Sequence, residues 1–161
     1  MSVVYEGVEY TAAEFAALGL SSAHYTVTAD ALRTGRIHAF PTVEQRDEFS
    51  AGVTARRADP SLRIGRENSN FFRADFFQDP VLQIPPGLSV RDLGELGLDG
   101  DIRSLKVSRE VVRVTLWDGE GFTGESFDFT TGSEFPQLSV LRLSDGRSLA
   151  TNVTSIDSDV P

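Results

Sequence analysis

The stretch Trp117-Asp118-Gly119-Glu120-Gly121-Phe122-Thr123-Gly124-Glu125-Ser126 leaves the chain around it few choices. Val112, Val114 and Leu116 precede it and Phe127 and Phe129 follow it, in two runs of high β propensity. Between them Asp-Gly, Glu-Gly and Thr-Gly supply the positive-φ positions that a folded-over hairpin demands. The C-terminal part is therefore expected to be built from antiparallel hairpins.

From Leu62 onward the pattern agrees: short strand-like runs are broken by Gly, Pro and Asp clusters, as in an all-β sandwich. Pro80, Pro85, Pro86 and Pro136 are expected at strand ends, because proline removes a ladder donor. Ser104 and Ser155 are 51 positions apart, and a slide of 51 lays Glu67-Asn68-Ser69-Asn70-Phe71 on Asp118-Gly119-Glu120-Gly121-Phe122 without a gap. The slide predicts two related halves. It also sets Arg66 on Trp117 and Arg73 on Gly124, so the first copy lacks the leading aromatic and the corner glycine. Either a bulge or a second frame through Phe76-Phe77-Gln78-Asp79 accommodates this. Residues 88–93 and 136–140 correspond across the halves.

The spelling aromatic-x-x-x-x-Phe-x-Gly, here Trp117, Phe122 and Gly124, resembles the first hairpin of a βγ-crystallin Greek-key motif. The closing segments Asp99-Gly100-Asp101-Ile102-Arg103-Ser104 and Ala150-Thr151-Asn152-Val153-Thr154-Ser155 resemble the Asn/Asp-Asn/Asp-x-x-Ser/Thr-Ser ending of such motifs. The resemblance covers roughly residues 62–158. It implies two degenerate Greek keys, with the 88–93 and 136–140 segments crossing to the other sheet.

The same resemblance implies calcium, bound where closing loops and hairpin loops face one another. A hard cation of this kind takes six to eight oxygens. This chain departs from the pattern: Gly100 and Arg103 stand at the second and fifth positions of the first loop, and Ala150 and Thr151 replace both acidic positions of the second. The ligand set it implies is Thr154 with Asn152, oxygens of the Asn68-Ser69-Asn70 loop, and Asp99 and Asp101, giving calcium binding that is weak or absent. Arg103 is expected to replace the ion by bonding loop carbonyls and an acid such as Glu120. Ser104 and Ser155 are expected to tie the hairpins down through their hydroxyls.

Residues 1–54 read as a small α+β unit in the order ββαββα. Glu6-Gly7 turns a short hairpin, and Thr11-x-x-Glu14 and Thr42-x-x-Gln45 are capping boxes, opening helices that end at Gly19 and near Gly52. Strands at 24–28 and 36–40 are joined across Arg33-Thr34-Gly35. Residues 55–61 lack apolar periodicity and form the expected linker. Fifty residues are marginal as an independent fold, so the fold class is α+β overall: a small N-terminal unit packed on a C-terminal sandwich of two Greek keys over 62–161. Phe71-Phe72 and Phe76-Phe77 are adjacent pairs, and one of each is expected outside the sandwich beneath the N-terminal unit.

A net charge of −9, from 24 acidic and 15 basic residues, disfavours nucleic acid. The absence of cysteine excludes disulfides and thiolate chemistry. Gly119-x-Gly121-x-x-Gly124 spells a dinucleotide fingerprint but precedes a strand and not a helix. Asp99-x-Asp101 lacks the rest of a helix-loop-helix calcium site. Asn152-Val153-Thr154 matters as a glycosylation triplet only in a secreted chain. His24 and His38, on adjacent strands, have no third metal ligand, and no nucleophile elbow accompanies the serines.

The expected function is thus a non-enzymatic structural or binding module, monomeric or weakly dimeric. The alternative is a protein-interaction module, or one resembling protease inhibitors, that acts on an unknown protein partner. With no leader pattern and no apolar run of membrane-spanning length, a soluble cytoplasmic chain is expected, with no membrane partner.

Overall fold

The computed structural model describes residues 2–20, 23–28, 31–49 and 68–160. The expected linker at 55–61 and the Gly52 helix end lie outside the described residues. The N-terminal hairpin joins β1 (Ser2–Tyr5) to β2 (Val8–Thr11) through Glu6 and Gly7, at φ 48° and 78°. Thr11 then caps α1 (Ala12–Ala17): its hydroxyl accepts from the Glu14 amide at 3.2 Å, and the Glu14 carboxylate accepts from the Thr11 amide at 2.8 Å. Next come β3 (His24–Val27), a short helix α2 (Ala31–Thr34) where only a turn was expected, and β4 (Arg36–Phe40). The helix α3 spans residues 43–49, and the Thr42 hydroxyl accepts from the Gln45 amide at 3.2 Å.

Seven strands follow: β5 (Ser69–Phe72), β6 (Pro80–Ile84), β7 (Ser104–Lys106), β8 (Arg113–Gly119), β9 (Thr123–Thr130), β10 (Glu134–Phe135) and β11 (Ser155–Asp159). They form two Greek keys that exchange their third strands. β10 of the second key pairs with β7 of the first, and Val90 of the first bridges Ile156 of the second. The amides of Leu93 and Leu138 repeat the exchange, donating to the Thr154 and Arg103 carbonyls at 2.8 Å each. One sheet runs β10-β7-β5-β6.

The other sheet does not stop at the crystallin-like half. Its order is β11-β8-β9-β3-β4-β1-β2, because β3 pairs in parallel with β9, His24 opposite Ser126 through Val27 opposite Phe129. Alternation along β9 then sorts the side chains. Phe127 and Phe129 enter the core, where Tyr25 stacks on Phe127 with ring centroids 4.1 Å apart. α1 continues the second layer beneath β1–β4, with Phe15 against Tyr5, Tyr10 and Tyr25. The two halves share one hydrophobic core.

The slide of 51 fails at the first hairpin. Phe71 is fully buried in β5 and does not lie at a hairpin tip. The second frame is the one the chain adopts: Phe76, Phe77 and Asp79 have φ 57°, 61° and 55°, matching Gly121, Phe122 and Gly124 at 66°, 62° and 82°. Phe77 and Phe122 are 45 positions apart whereas Ser104 and Ser155 are 51 apart, so the second key carries six more residues before its closing loop. They fall in the turn that Arg142 and Ser148 bridge. The expected cover of the Phe pairs is also corrected: Phe72 is capped by Phe77, at 5.7 Å, while Phe76 is exposed. The N-terminal unit covers Trp117 instead, through His24 and Arg46.

Candidate metal centre

The hairpins are pinned by two serines in equivalent ways. Ser155 Oγ donates to the Gly119 carbonyl at 2.6 Å and accepts from the Phe122 amide at 3.1 Å. Ser104 Oγ donates to the Ala74 carbonyl at 2.7 Å and accepts from the Phe77 amide at 3.1 Å. Each hydroxyl thus satisfies one backbone donor and one backbone acceptor of its turn. At the second corner Gly124 is obligatory, because a Cβ there would stand 1.9 Å from Asp118 Oδ1. That carboxylate also accepts from the Glu125 amide at 2.8 Å.

Of the six expected metal ligands, the fold brings together Thr154 and Asp99, whose side chains hydrogen-bond at 2.9 Å. The two closing loops meet there, with the Gly100 amide donating to the Val153 carbonyl at 3.1 Å. Gly100 has no room for a carboxylate-bearing side chain, since its Cβ would lie 2.8 Å from the Thr151 carbonyl oxygen. Asn152 turns away: its amide donates to the Ser148 carbonyl at 2.7 Å and accepts from Arg147 at 3.2 Å. Asp101 faces Arg73 at 3.9 Å. Asn68 and Asn70 do not form a hairpin loop. Asn68 immediately precedes β5 and Asn70 lies within it, in the opposite sheet, where the Asn70 side chain donates to the Asn68 carbonyl at 3.3 Å.

Among the described residues no three His, Cys, Asp or Glu side chains gather in one place to hold a metal ion. Of the expected side chains the fold juxtaposes one carboxylate and one hydroxyl, already bonded to each other, where a hard cation takes six to eight oxygens, backbone carbonyls included. The Arg91 guanidinium lies at the tip of the facing hairpin, over the Phe122 ring at 6.0 Å. At the other closing loop, Arg103 holds the fold through its backbone, donating to the Phe72 carbonyl at 2.8 Å. It makes no bond to Glu120 among the described residues. The bridging guanidinium is Arg147, from the six-residue insertion, which reaches Asp145 at 2.5 Å, Asp118 at 3.1 Å and Asn152 at 3.2 Å. Hydrogen bonds from Arg147 hold the Asp145 carboxyl below its ordinary range.

A second cluster, not read from the sequence, lies on the outer face beneath α3. Arg46 reaches Asp128 Oδ2 at 3.1 Å and Asp47 at 2.8 Å, bonds Ser126 Oγ, and lies over Trp117 at 5.3 Å. Thr115 donates to Asp128 Oδ1 at 2.7 Å, and Arg113 reaches Asp159 at 2.7 Å. His24 Nδ1 meets Ser126 Oγ at 2.9 Å, and burial followed by the Arg46 charge lowers its pKa. His38 instead packs on Phe49, with ring centroids 4.6 Å apart. The available signal was the polar outer row Ser126, Asp128 and Thr130, alternating with the core residues Phe127 and Phe129.

The exchange of third strands, the paired serine bolts and the matched positive-φ corners decide the architecture. Residues 68–160 have the βγ-crystallin fold. A solved structure described as "Evolution of the eye lens beta-gamma-crystallin domain fold" aligns at a TM-score of 0.51 and 16% identity, over 61% of this chain and 90% of that one. The N-terminal domain of Protein S is 27% identical over 58% of this chain and 97% of its own, at a TM-score of 0.46. A beta gamma crystallin from Ciona intestinalis is 20% identical over 58% of this chain and all of its own, at 0.43. No family model matches the sequence, and no curated protein matches it. In this chain β3 extends the second sheet of that fold. No described helix is long and apolar enough to cross a membrane.

Proposed function

We propose that the chain is a non-catalytic structural and binding module whose crystallin domain is held by side-chain hydrogen bonds and guanidinium groups, without need of calcium. The observation that carries this reading is Arg147, which ties the second hairpin at Asp118 to the closing loop at Asn152. A fixed cation there does permanently what a bound ion does conditionally, joining oxygens from separate loops. The Thr154 and Asp99 bond supports the same reading, since the retained ligand residues already satisfy one another. Titrating calcium chloride into the protein in a calorimeter tests it. Heats of dilution alone are expected, and a saturable isotherm would overturn the proposal.

A further inference from the structure

The edges of the two sheets are β11 and β2 in the larger and β10 and β6 in the smaller. An open edge is a template for a further strand, and folds commonly blunt it with proline, charge or a covering segment. β11 is covered: its outward Ile156 amide donates to the Val90 carbonyl at 2.9 Å, and the Ser158 amide donates to the Asp157 carboxylate at 3.0 Å. β6 begins at Pro80 and runs into Pro85 and Pro86, and β10 has only 2 residues.

β2 has neither proline nor cover. Nothing pairs with its far side among the described residues, and Val8, Glu9 and Thr11 are exposed. The Thr11 amide points away from β1, to the Glu14 carboxylate at 2.8 Å. By alternation Glu9, two residues earlier, turns its own amide and carbonyl to the same open side.

The side chains of β2 alternate as well. Glu9 lies on the outer face opposite Val4, where its carboxylate accepts from Ser2 at 2.6 Å and from Arg36 at 3.4 Å. The Ser2 hydroxyl, helped by Arg36, holds that carboxyl below its ordinary range, so it carries its charge. Val8 and Tyr10 lie on the other face, opposite Tyr5 and Val3, and Val8 is 50% exposed. A strand laid beside β2 therefore meets an anion on one face and apolar side chains on the other. Glu6 adds an exposed carboxylate at the turn. A second copy is a poor occupant, because antiparallel pairing about Glu9 sets like charges opposite one another.

We propose that the β2 edge takes up an extended peptide alternating basic and apolar residues, its backbone bonding the Glu9 amide and carbonyl, its cations facing Glu9, and its apolar side chains continuing the row of Val8 and Tyr10. This names a partner class beyond the module reading and does not rest on the calcium question, so either can fail while the other stands.

The test titrates the full chain with a short capped peptide alternating lysine and valine, followed by amide NMR, with the same peptide carrying glutamate for lysine as comparator. Saturable shifts at Val8, Glu9 and Tyr10 and slowed exchange of the Glu9 amide are expected with the lysine peptide, and no shifts with the glutamate peptide. Glu9→Lys should weaken the lysine peptide about fivefold, the worth of one cross-strand charge pair. Glu9→Pro removes the outward donor at an edge position that tolerates proline, and should abolish binding. The proposal is overturned by the absence of saturable shifts at millimolar lysine peptide, by equal binding of the two peptides, or by undiminished binding to Glu9→Lys or to a folded Glu9→Pro protein. Shifts at Glu9 that grow with protein concentration alone would overturn it in favour of a second copy.

Discussion

Arg46 on α3 places its Nε 3.1 Å from Oδ2 of Asp128 on β9, and the two side chains are 3% and 0% exposed. This buried pair clamps the N-terminal unit onto the outer face of the crystallin sheet. Arg46→Ala leaves the buried Asp128 carboxylate to Thr115 at 2.7 Å and to Arg113 at 3.7 Å, so it should cost up to about 3–5 kcal/mol, the range for a broken buried pair. Replacing both partners by apolar residues, Arg46→Met with Asp128→Leu, should cost far less, because the desolvation penalty disappears with the charges. Urea denaturation of the three proteins measures the difference.

The serine bolts should behave as equivalents. Ser104→Ala or Ser155→Ala leaves one turn amide and one carbonyl without the partner each has now. Each substitution should cost about 1–3 kcal/mol, the range for an orphaned buried group. The same unfolding measurement checks both, and a cost at one site only would break the equivalence of the two keys.

The corners should respond in opposite senses. Gly124→Ala sets a methyl group against Asp118 at φ 82° and should destabilise by more than about 2 kcal/mol. Asp79, its counterpart, sits at φ 55° with a side chain. Relief of a left-handed L-residue, about 1–2 kcal/mol, outweighs the added chain entropy of glycine, so Asp79→Gly should raise the melting temperature.

Much of the crystallin half was legible because its hairpin depends on residue types with no substitute. Trp117, Phe122 and Gly124 announce one geometry, and Ser104 and Ser155 fall where the bolts are. The first key was harder to read because Asp79 replaces glycine and because the six-residue insertion makes the spacing of the serines differ from that of the hairpins. The slide fitted the serines and so misplaced Asn68 and Asn70. The β3 to β9 pairing left no local trace, since a parallel pair joins strands distant in sequence and carries no turn between them. The Arg46 cluster was hidden for a related reason: polar residues alternating with core phenylalanines ordinarily face water, and only α3 buries them.

His24 gives the interface a pH dependence. Burial and the Arg46 charge, against the smaller opposing pull of Asp47 and Glu44, hold its pKa below 6.5. The unfolded chain then binds the proton more readily, so the contribution of His24 is complete above about 6.5 and is lost as pH falls from there through the folded value. His24→Gln should flatten that part of the stability profile. Urea unfolding across the interval, compared with the parent protein, reads the change in slope.

The melting temperature in excess calcium against that in chelator is the most direct test of the central claim, because an ion that binds only the folded state raises it with ligand excess. Coincident transitions are expected, together with a lowered transition for Arg147→Ala in both conditions. A rise with calcium that grows with concentration in the parent protein would contradict the account.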